Sequence, residues 1–202
     1  MSISQPAGFA DLLRRALAGI TEVSARQAAL MQEHYELLLR WNARLNLTRI
    51  TDLQGAVERH YAESVFVAHH LPPGEWKIAD VGSGAGFPGI PVAVMRPECT
   101  VFLIESHQRK AVFLHEATRN LPNTRVVAGR AETVSDVFDW TLGRAVTMEE
   151  LTPIIARFEN NAAILGGPQE LDQRAGLEWS SLPLPWGRRR FLHLGIVTRA
   201  TE

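Results

Sequence analysis

Cysteine is almost absent: Cys99 is the single thiol in 202 residues. That excludes a disulfide within the chain and a zinc site built from thiolates, and it suits a reducing cytosol. Lysine is nearly as scarce. Lys77 and Lys110 are the two lysines among 21 basic residues, the rest being arginines. Net charge is also small, −1 from 21 basic and 22 acidic residues. A strongly basic coat is thereby excluded, while a local basic patch is not, because net charge averages over faces. Long hydrophobic runs are missing, so no segment is expected to span a membrane. The first residues lack the basic-then-apolar pattern of a secretory leader. The expectation is a cytoplasmic, monomeric protein with no metal site.

What is present suits a sizeable core: 46% of residues are hydrophobic. The first 70 residues read as a helical cap. Phe9, Leu12, Leu13, Ala16, Leu17 and Ile20 recur at helical spacing over residues 8–20. Ser24 and Gln27 form an S-x-x-Q capping box, and the helix it opens runs to about residue 44, with Leu30, His34, Leu38, Trp41 and Leu45 along one stripe. A third helical segment covers roughly 53–70. After Pro72-Pro73-Gly74, a turn signal, the pattern becomes short apolar runs alternating with helices. Strands are expected at KIADV (77–81), TVFLIE (100–105), RVVAG (125–129), within FDWTLGRA (138–145), at AAILG (162–166) and at RFLHLGIVTR (190–199). Between them, PGIPVAVM (88–95) reads as helical, and 107–121 reads as a helix with Val112, Phe113, Ala117 and Leu121 on one face. Thr147 and Glu150 open another to about 158. This alternation predicts an α/β fold with a mostly parallel, doubly wound sheet over residues 71–202. Such sheets bind ligands at the carboxyl ends of their strands.

DVGSGAGFPG, residues 80–89, lies between the first strand and its helix. Glycine there permits positive φ and a close ligand. Gly82, Gly84 and Gly86 give G-x-G-x-G, with Phe87 where the dinucleotide fingerprint G-x-G-x-x-G has its third glycine. Pro88 removes an N–H that a diphosphate at a helix N-terminus would use, and no G-K-S/T follows. Asp80-x-Gly82-x-Gly84-x-Gly86 instead resembles motif I of class I methyltransferases, which bind S-adenosylmethionine (SAM). An acid at the strand end, Asp80, suits the cationic amino-acid part. Glu105, closing the second strand, is placed to accept ribose hydroxyls. GRAE at 129–132 follows the third strand, where Ala131 can pack on an adenine ring and Glu132 can read its amino group.

A longer set of matches narrows the family. Trp41-Asn42 with Asn46-Leu47-Thr48, His60 with Ser64, the F-P-G-I-P extension of the glycine loop, Ser106, Arg109 and Lys110, Phe113-Leu114, and Arg144-Ala145 resemble the bacterial 16S ribosomal RNA guanine-N7 methyltransferases, also called the glucose-inhibited division protein B family. The resemblance runs from about residue 30 to 145. It implies a Rossmann-like fold, SAM as methyl donor with S-adenosylhomocysteine as product, and 16S rRNA or the 30S subunit as partner. It implies cofactor positions at Asp80, Gly82, Ser83, Gly84, Gly86, Phe87, Glu105, Ser106, His107, Ala131, Glu132 and Arg144. Asn46, Thr48 and His60 would shape the catalytic pocket, and Arg109, Lys110 and Arg144 would contact RNA. Guanine N7 already presents a lone pair, so positioning residues are expected rather than an acid–base dyad.

The sequence departs from that family at Glu63, where the family has aspartate, at Gly143, where it has serine, and at Gly166, where it has lysine. His60 reads equally as a core histidine, Arg109 and Lys110 as a solvated first helical turn, and Arg188-Arg189-Arg190 as an RNA patch or a surface cluster. A small-molecule or protein substrate, or a SAM-binding domain without catalysis, are the alternative functions. If the loop seats SAM, Gly84→Leu abolishes SAM binding in calorimetry; retained affinity contradicts that assignment.

Overall fold

The computed structural model describes residues 7–168 and 176–198. Helices α1 (Phe9–Ala16) and α2 (Ala25–Leu45) come first. Then α3 (Leu53–Ala56), a π-wound segment (Val57–Ala62) and α4 (Glu63–His70) follow one another without a break. The rest alternates: β1 (Lys77–Val81), α5 (Gly89–Met95), β2 (Thr100–Ile104), α6 (Gln108–Ala117), β3 (Thr124–Val127), β4 (Trp140–Arg144), α7 (Met148–Phe158), β5 (Asn161–Gly166), β6 (Leu177–Pro183) and β7 (Phe191–Val197). Among the described residues no helix is long and apolar enough to cross a membrane.

Local sequence sets these boundaries. Both capping boxes form: Ser24 Oγ accepts from the Gln27 N–H at 3.2 Å while Gln27 Oε1 accepts from the Ser24 N–H at 2.9 Å, and Thr147 with Glu150 repeats the arrangement. Helix α2 stops at Asn46, which turns left-handed at φ 49°. That conformation is tolerated by asparagine better than by most residues.

The sheet order is β3-β2-β1-β4-β5-β7-β6. The first five strands are parallel, and β7 runs antiparallel between β5 and β6. The strand order reverses beside β1, whose two neighbours are β2 and β4. Side chains alternate across the sheet as period two requires. Ile78, Val101, Leu103, Leu142 and Leu165 join a large cluster that also holds the residues of α1, α2, α4, α5 and α6. Ala79, Val81, Ile104, Ala162 and Ile164 face a smaller cluster built on Leu151, Ile154, Ile155 and Phe158 of α7. The helices of the first 70 residues therefore share one core with β1, β2 and α5.

Two sequence expectations need correction. Val112 is 56% exposed, and Leu114 takes its place in the core with Phe113, because the buried stripe of α6 is rotated by one position. Strand β6, LEWSSLP, is not among the expected strands: Glu178, Ser180, Ser181 and Pro183 interrupt any apolar run, and it gains its order as the outer strand against β7. The end of the last predicted strand, Arg199, lies outside the described residues.

The run Arg188-Arg189-Arg190 is divided. Arg188 and Arg189 are exposed. Arg190 instead turns to Glu63, a fully buried carboxylate at the start of α4. Arg190 Nε and Nη2 donate to its two oxygens at 2.7 and 2.6 Å, a bidentate pair. Arg59 Nε lies 3.2 Å away and Arg144 Nη2 3.9 Å. One carboxylate thus holds guanidiniums from the π segment, β4 and the β7 approach. A Cβ at Gly143, just before Arg144, would lie 2.6 Å from Leu151 Cδ1, so a side chain there requires the tip of Leu151 to shift. Removing one partner of a buried ionic cluster leaves charges uncompensated. Glu63→Gln is therefore expected to cost about 3 kcal/mol in urea unfolding; a midpoint unchanged from the parent would show that solvent, not Glu63, satisfies these arginines.

Candidate functional site

The site lies where β1, β2 and β3 end, beside the reversal of strand order, the place at which open α/β sheets bind ligands. Its floor is the glycine loop. Gly82, Gly84 and Gly86 all have positive φ, at 69°, 56° and 86°. Side chains rarely adopt this region, so the loop path depends on glycine. A Cβ at Gly84 would meet only the Gly82 carbonyl, at 3.7 Å, so the backbone there is open to a close ligand. A Cβ at Gly86 would run into Ile90, which makes the third glycine a packing requirement.

The backbone of this loop is pinned from several sides. Gly82 and Ser83 N–H groups donate to the Ile104 carbonyl at 3.0 and 3.1 Å, and Gly86 and Phe87 N–H groups to the Ser83 carbonyl at 2.7 and 3.3 Å. Ser83 is buried and its Oγ donates to the Asp80 carbonyl at 2.9 Å. Glu105 Oε2 accepts from the Gly84 N–H at 2.9 Å, and Oε1 from the His107 N–H at 2.8 Å. Each carboxylate oxygen has a second lone pair, so Glu105 can tie the loop to β2 and still accept two hydroxyls. Ser106 and His107 are exposed beside it.

Asp80 is fully buried at the end of β1. Its Oδ2 accepts from the Gly89 N–H at 3.2 Å, while Oδ1 is buried with no protein partner. Burial, reinforced by the nearby Glu105 charge, raises its pKa to about 7. An unpartnered carboxyl oxygen beside an open glycine backbone suits a cationic group. Gly89 is part of this arrangement, since a Cβ there would sit 2.5 Å from Asp80 Oδ2. The sequence reading did not single it out, although it closes the quoted glycine stretch. After β3, Ala131 is buried in a short 3₁₀ turn, and its carbonyl accepts from Arg157 Nη1 at 3.1 Å; Glu132 is exposed.

The wall above the loop comes from the first 70 residues. Phe87 is buried and stacks on the His60 ring, with centroids 4.6 Å apart and planes 17° from parallel. The Arg144 guanidinium lies over Phe87 at 5.8 Å. His60 Nε2 shares a 2.7 Å hydrogen bond with Thr48 Oγ1, and Thr48 is fixed in turn by Asn42, whose Oδ1 accepts from the Thr48 N–H at 2.8 Å. Burial first, then the positive charges of Arg144 and Arg59, push the His60 pKa down to about 3. His60 is thus a neutral imidazole at physiological pH, with Nδ1 buried and unpartnered.

Thr48, His60, Phe87 and Arg144 are therefore brought together, as are Asp80, Gly84, Glu105 and His107. Asn46 is not among them: it is exposed and ends α2, while Asn42 makes the contact with Thr48. Arg109 is exposed and Lys110 half-buried at the start of α6. The sequence reading missed Glu63 as a hub, Asn42 as a strut, and the polar role of His34. A single chain carries no signal that a buried stripe residue is a hydrogen-bonding one.

Residues 27–165 match the family model described as rRNA small subunit methyltransferase G. A ribosomal RNA small subunit methyltransferase G from Nostoc punctiforme is 40% identical over 136 residues, covering 61% of this chain and 56% of that protein. The one from Nitrosomonas europaea is 43% identical over 128 residues, covering 60% and 58%. The chain thus spans little more than half the length of the curated relatives it matches. Among solved structures, a SAM-dependent methyltransferase from Aquifex aeolicus aligns at a TM-score of 0.57 and 16% identity, covering 71% of this chain and 93% of that one. Aeropyrum pernix fibrillarin, solved with natively bound SAM, aligns at 0.51 and 17%, covering 62% and 69%. At such identities the likeness is one of fold, the class I methyltransferase fold. With the family model covering well over half its length, the chain belongs to the rRNA small subunit methyltransferase G (GidB) family.

Proposed function

We propose that this chain is a SAM-dependent methyltransferase that acts on N7 of a guanine in 16S ribosomal RNA, as a cytoplasmic monomer. The observation that carries the cofactor reading is the loop itself: an open Gly84 backbone, an Asp80 oxygen with no protein partner, and Glu105 with spare lone pairs, all at the carboxyl ends of adjacent strands. SAM, when bound, supplies an activated methyl group. Asp80 would meet the cationic amino-acid part, Glu105 the ribose hydroxyls, and Ala131 and Glu132 the adenine. Gly82, Ser83, Gly86, Phe87, Ser106 and His107 would complete the cofactor seat.

The target base belongs to the wall formed by Thr48, His60, Phe87 and Arg144. Guanine N7 needs no general base, and a neutral His60 held by Thr48 suits a positioning role. Arg144 can contribute fixed charge for a phosphate or a base edge. Arg109 and Lys110 would extend the RNA contact along α6. Residues 1–70 would act as a cap that completes the base pocket. The family and the printed names of the relatives support the RNA substrate. A small-molecule or protein substrate is the second reading, favoured by the net charge of −1.

Purified protein is expected to transfer labelled methyl from SAM to 30S subunits or 16S RNA lacking the modification, with turnover falling steeply as salt rises. No incorporation despite intact SAM binding would reject the RNA substrate, and salt-independent turnover of a small molecule would support the second reading. Asp80 adds a proton-linked prediction. Its carboxyl is protonated below about pH 7 in the free protein, and a bound cation favours the ionised form. SAM affinity should therefore rise as pH increases from 5 to 7 and then level off, with proton release at pH 6. Calorimetry in buffers of different ionisation enthalpy reads the protons directly. No release at pH 6 would show that Asp80 does not face the cation.

A further inference from the structure

His34 sits in the middle of α2, fully surrounded by protein, with both ring nitrogens engaged. Nε2 lies 3.0 Å from the Ala85 carbonyl, and Nδ1 2.9 Å from the Tyr61 hydroxyl. A carbonyl oxygen can only accept, which fixes the tautomer: Nε2–H donates to Ala85, and bare Nδ1 accepts from the Tyr61 O–H. The ring packs among Tyr61, Phe87 and Phe113, with centroids 5.8, 5.1 and 5.9 Å away. Burial depresses its pKa to about 4, so the imidazole stays neutral across the physiological range.

Ala85 is the residue between Gly84, whose backbone is open, and Gly86, which packs against Ile90. Every other anchor of this loop named above comes from the loop itself or from the strand ends: Ile104, Ser83, Glu105 and Asp80. His34 comes from the first 70 residues. Removing its N–H would leave the Ala85 carbonyl, in a buried setting, without this partner, and an unmade buried hydrogen bond is costly to keep. The Ala85–Gly86 peptide would then be held on one side only, by the Gly86 N–H bond to the Ser83 carbonyl at 2.7 Å, and Gly86 at φ 86° has no side chain to restrain its rotation. Rotation would displace Gly84 and, through its amide, the hydrogen bond to Glu105. Tyr61 supports the arrangement by holding the ring in its tautomer.

From this we infer that His34 is a positioning residue of the cofactor site: helix α2 grips the glycine loop through the His34–Ala85 hydrogen bond and holds it in its ligand-ready shape. The inference rests on the SAM reading for its consequence in affinity, and on the loop geometry alone for its consequence in dynamics.

Full-length protein with His34→Phe, His34→Gln, Tyr61→Phe and Leu38→Ala separates the possibilities. Leu38 is buried on the same helix, so its truncation destabilises the core while leaving the His34–Ala85 hydrogen bond in place. His34→Phe should weaken SAM binding about tenfold, and His34→Gln, which keeps a donor, should recover most of it. Tyr61→Phe should weaken it by a smaller factor, and Leu38→Ala should leave the dissociation constant within twofold while lowering the melting temperature. In the SAM-free protein, the Gly86 and Phe87 amides should exchange hydrogen faster in His34→Phe than in Leu38→Ala. Unchanged affinity in His34→Phe, or exchange no faster than in Leu38→Ala, overturns the inference. Should His34→Phe not fold, Tyr61→Phe and His34→Gln decide it: no slackening of the Gly86 and Phe87 amides in Tyr61→Phe, or no difference between Tyr61→Phe and the parent in affinity, overturns it equally. A parent protein that does not bind SAM at all would instead overturn the cofactor reading, leaving the exchange measurement to judge the strut.

Discussion

The structure around the site depends on a backbone constraint: Gly82, Gly84 and Gly86 must all hold positive φ within five residues. Glycine makes that path accessible but does nothing to enforce it, since its freedom is also its entropic cost. Enforcement comes from outside. The Ile104 carbonyl takes two amides, Glu105 takes a third, Asp80 holds the Gly89 N–H, and His34 reaches in from α2 to the Ala85 carbonyl. The anchors come from β1, from the end of β2 and from α2, so the loop's shape reports the assembly of β1, β2 and the N-terminal helices at once.

The second organising feature is an imbalance of charge. Glu63 gathers Arg59, Arg144 and Arg190 around one buried carboxylate. The carboxylate cancels one positive charge, and the remainder stays beside Phe87 and His60. That surplus is where a chain of near-zero net charge can still present a local field to an anionic substrate. It also contributes to the neutral state of His60, whose pKa is depressed first by burial and then in part by Arg144 and Arg59. A neutral imidazole beside a fixed guanidinium is suited to orienting a nucleophile that needs no activation.

Much of this was legible in the sequence. The parallel strands β1 to β5 announced themselves as short apolar runs, and the two capping boxes marked the starts of α2 and α7 to the residue. The loop's chemistry was readable because G-x-G-x-G with Phe87 and Pro88 differs from phosphate-binding spacings. The illegible parts share a physical cause: they depend on partners distant in sequence. Glu63 and Arg190 are 127 positions apart, and His34 and Ala85 are 51. Val112 was misplaced because a helical stripe can be rotated by one residue with little change in periodicity, and β6 was missed because an outer strand need not be apolar. Asn46 matched a family motif, yet here its visible task is to end a helix, and Asn42 supports Thr48.

The most direct measurement is a crystal structure of the complex with S-adenosylhomocysteine. The ribose hydroxyls should meet Glu105 without displacing the Gly84 N–H, with the adenine on Ala131 and the amino group within hydrogen-bond reach of Asp80 Oδ1. A ligand seated away from the Gly84 backbone, or one that leaves Asp80 Oδ1 bare and Glu105 uncontacted, would contradict the assignment of this loop as the cofactor seat.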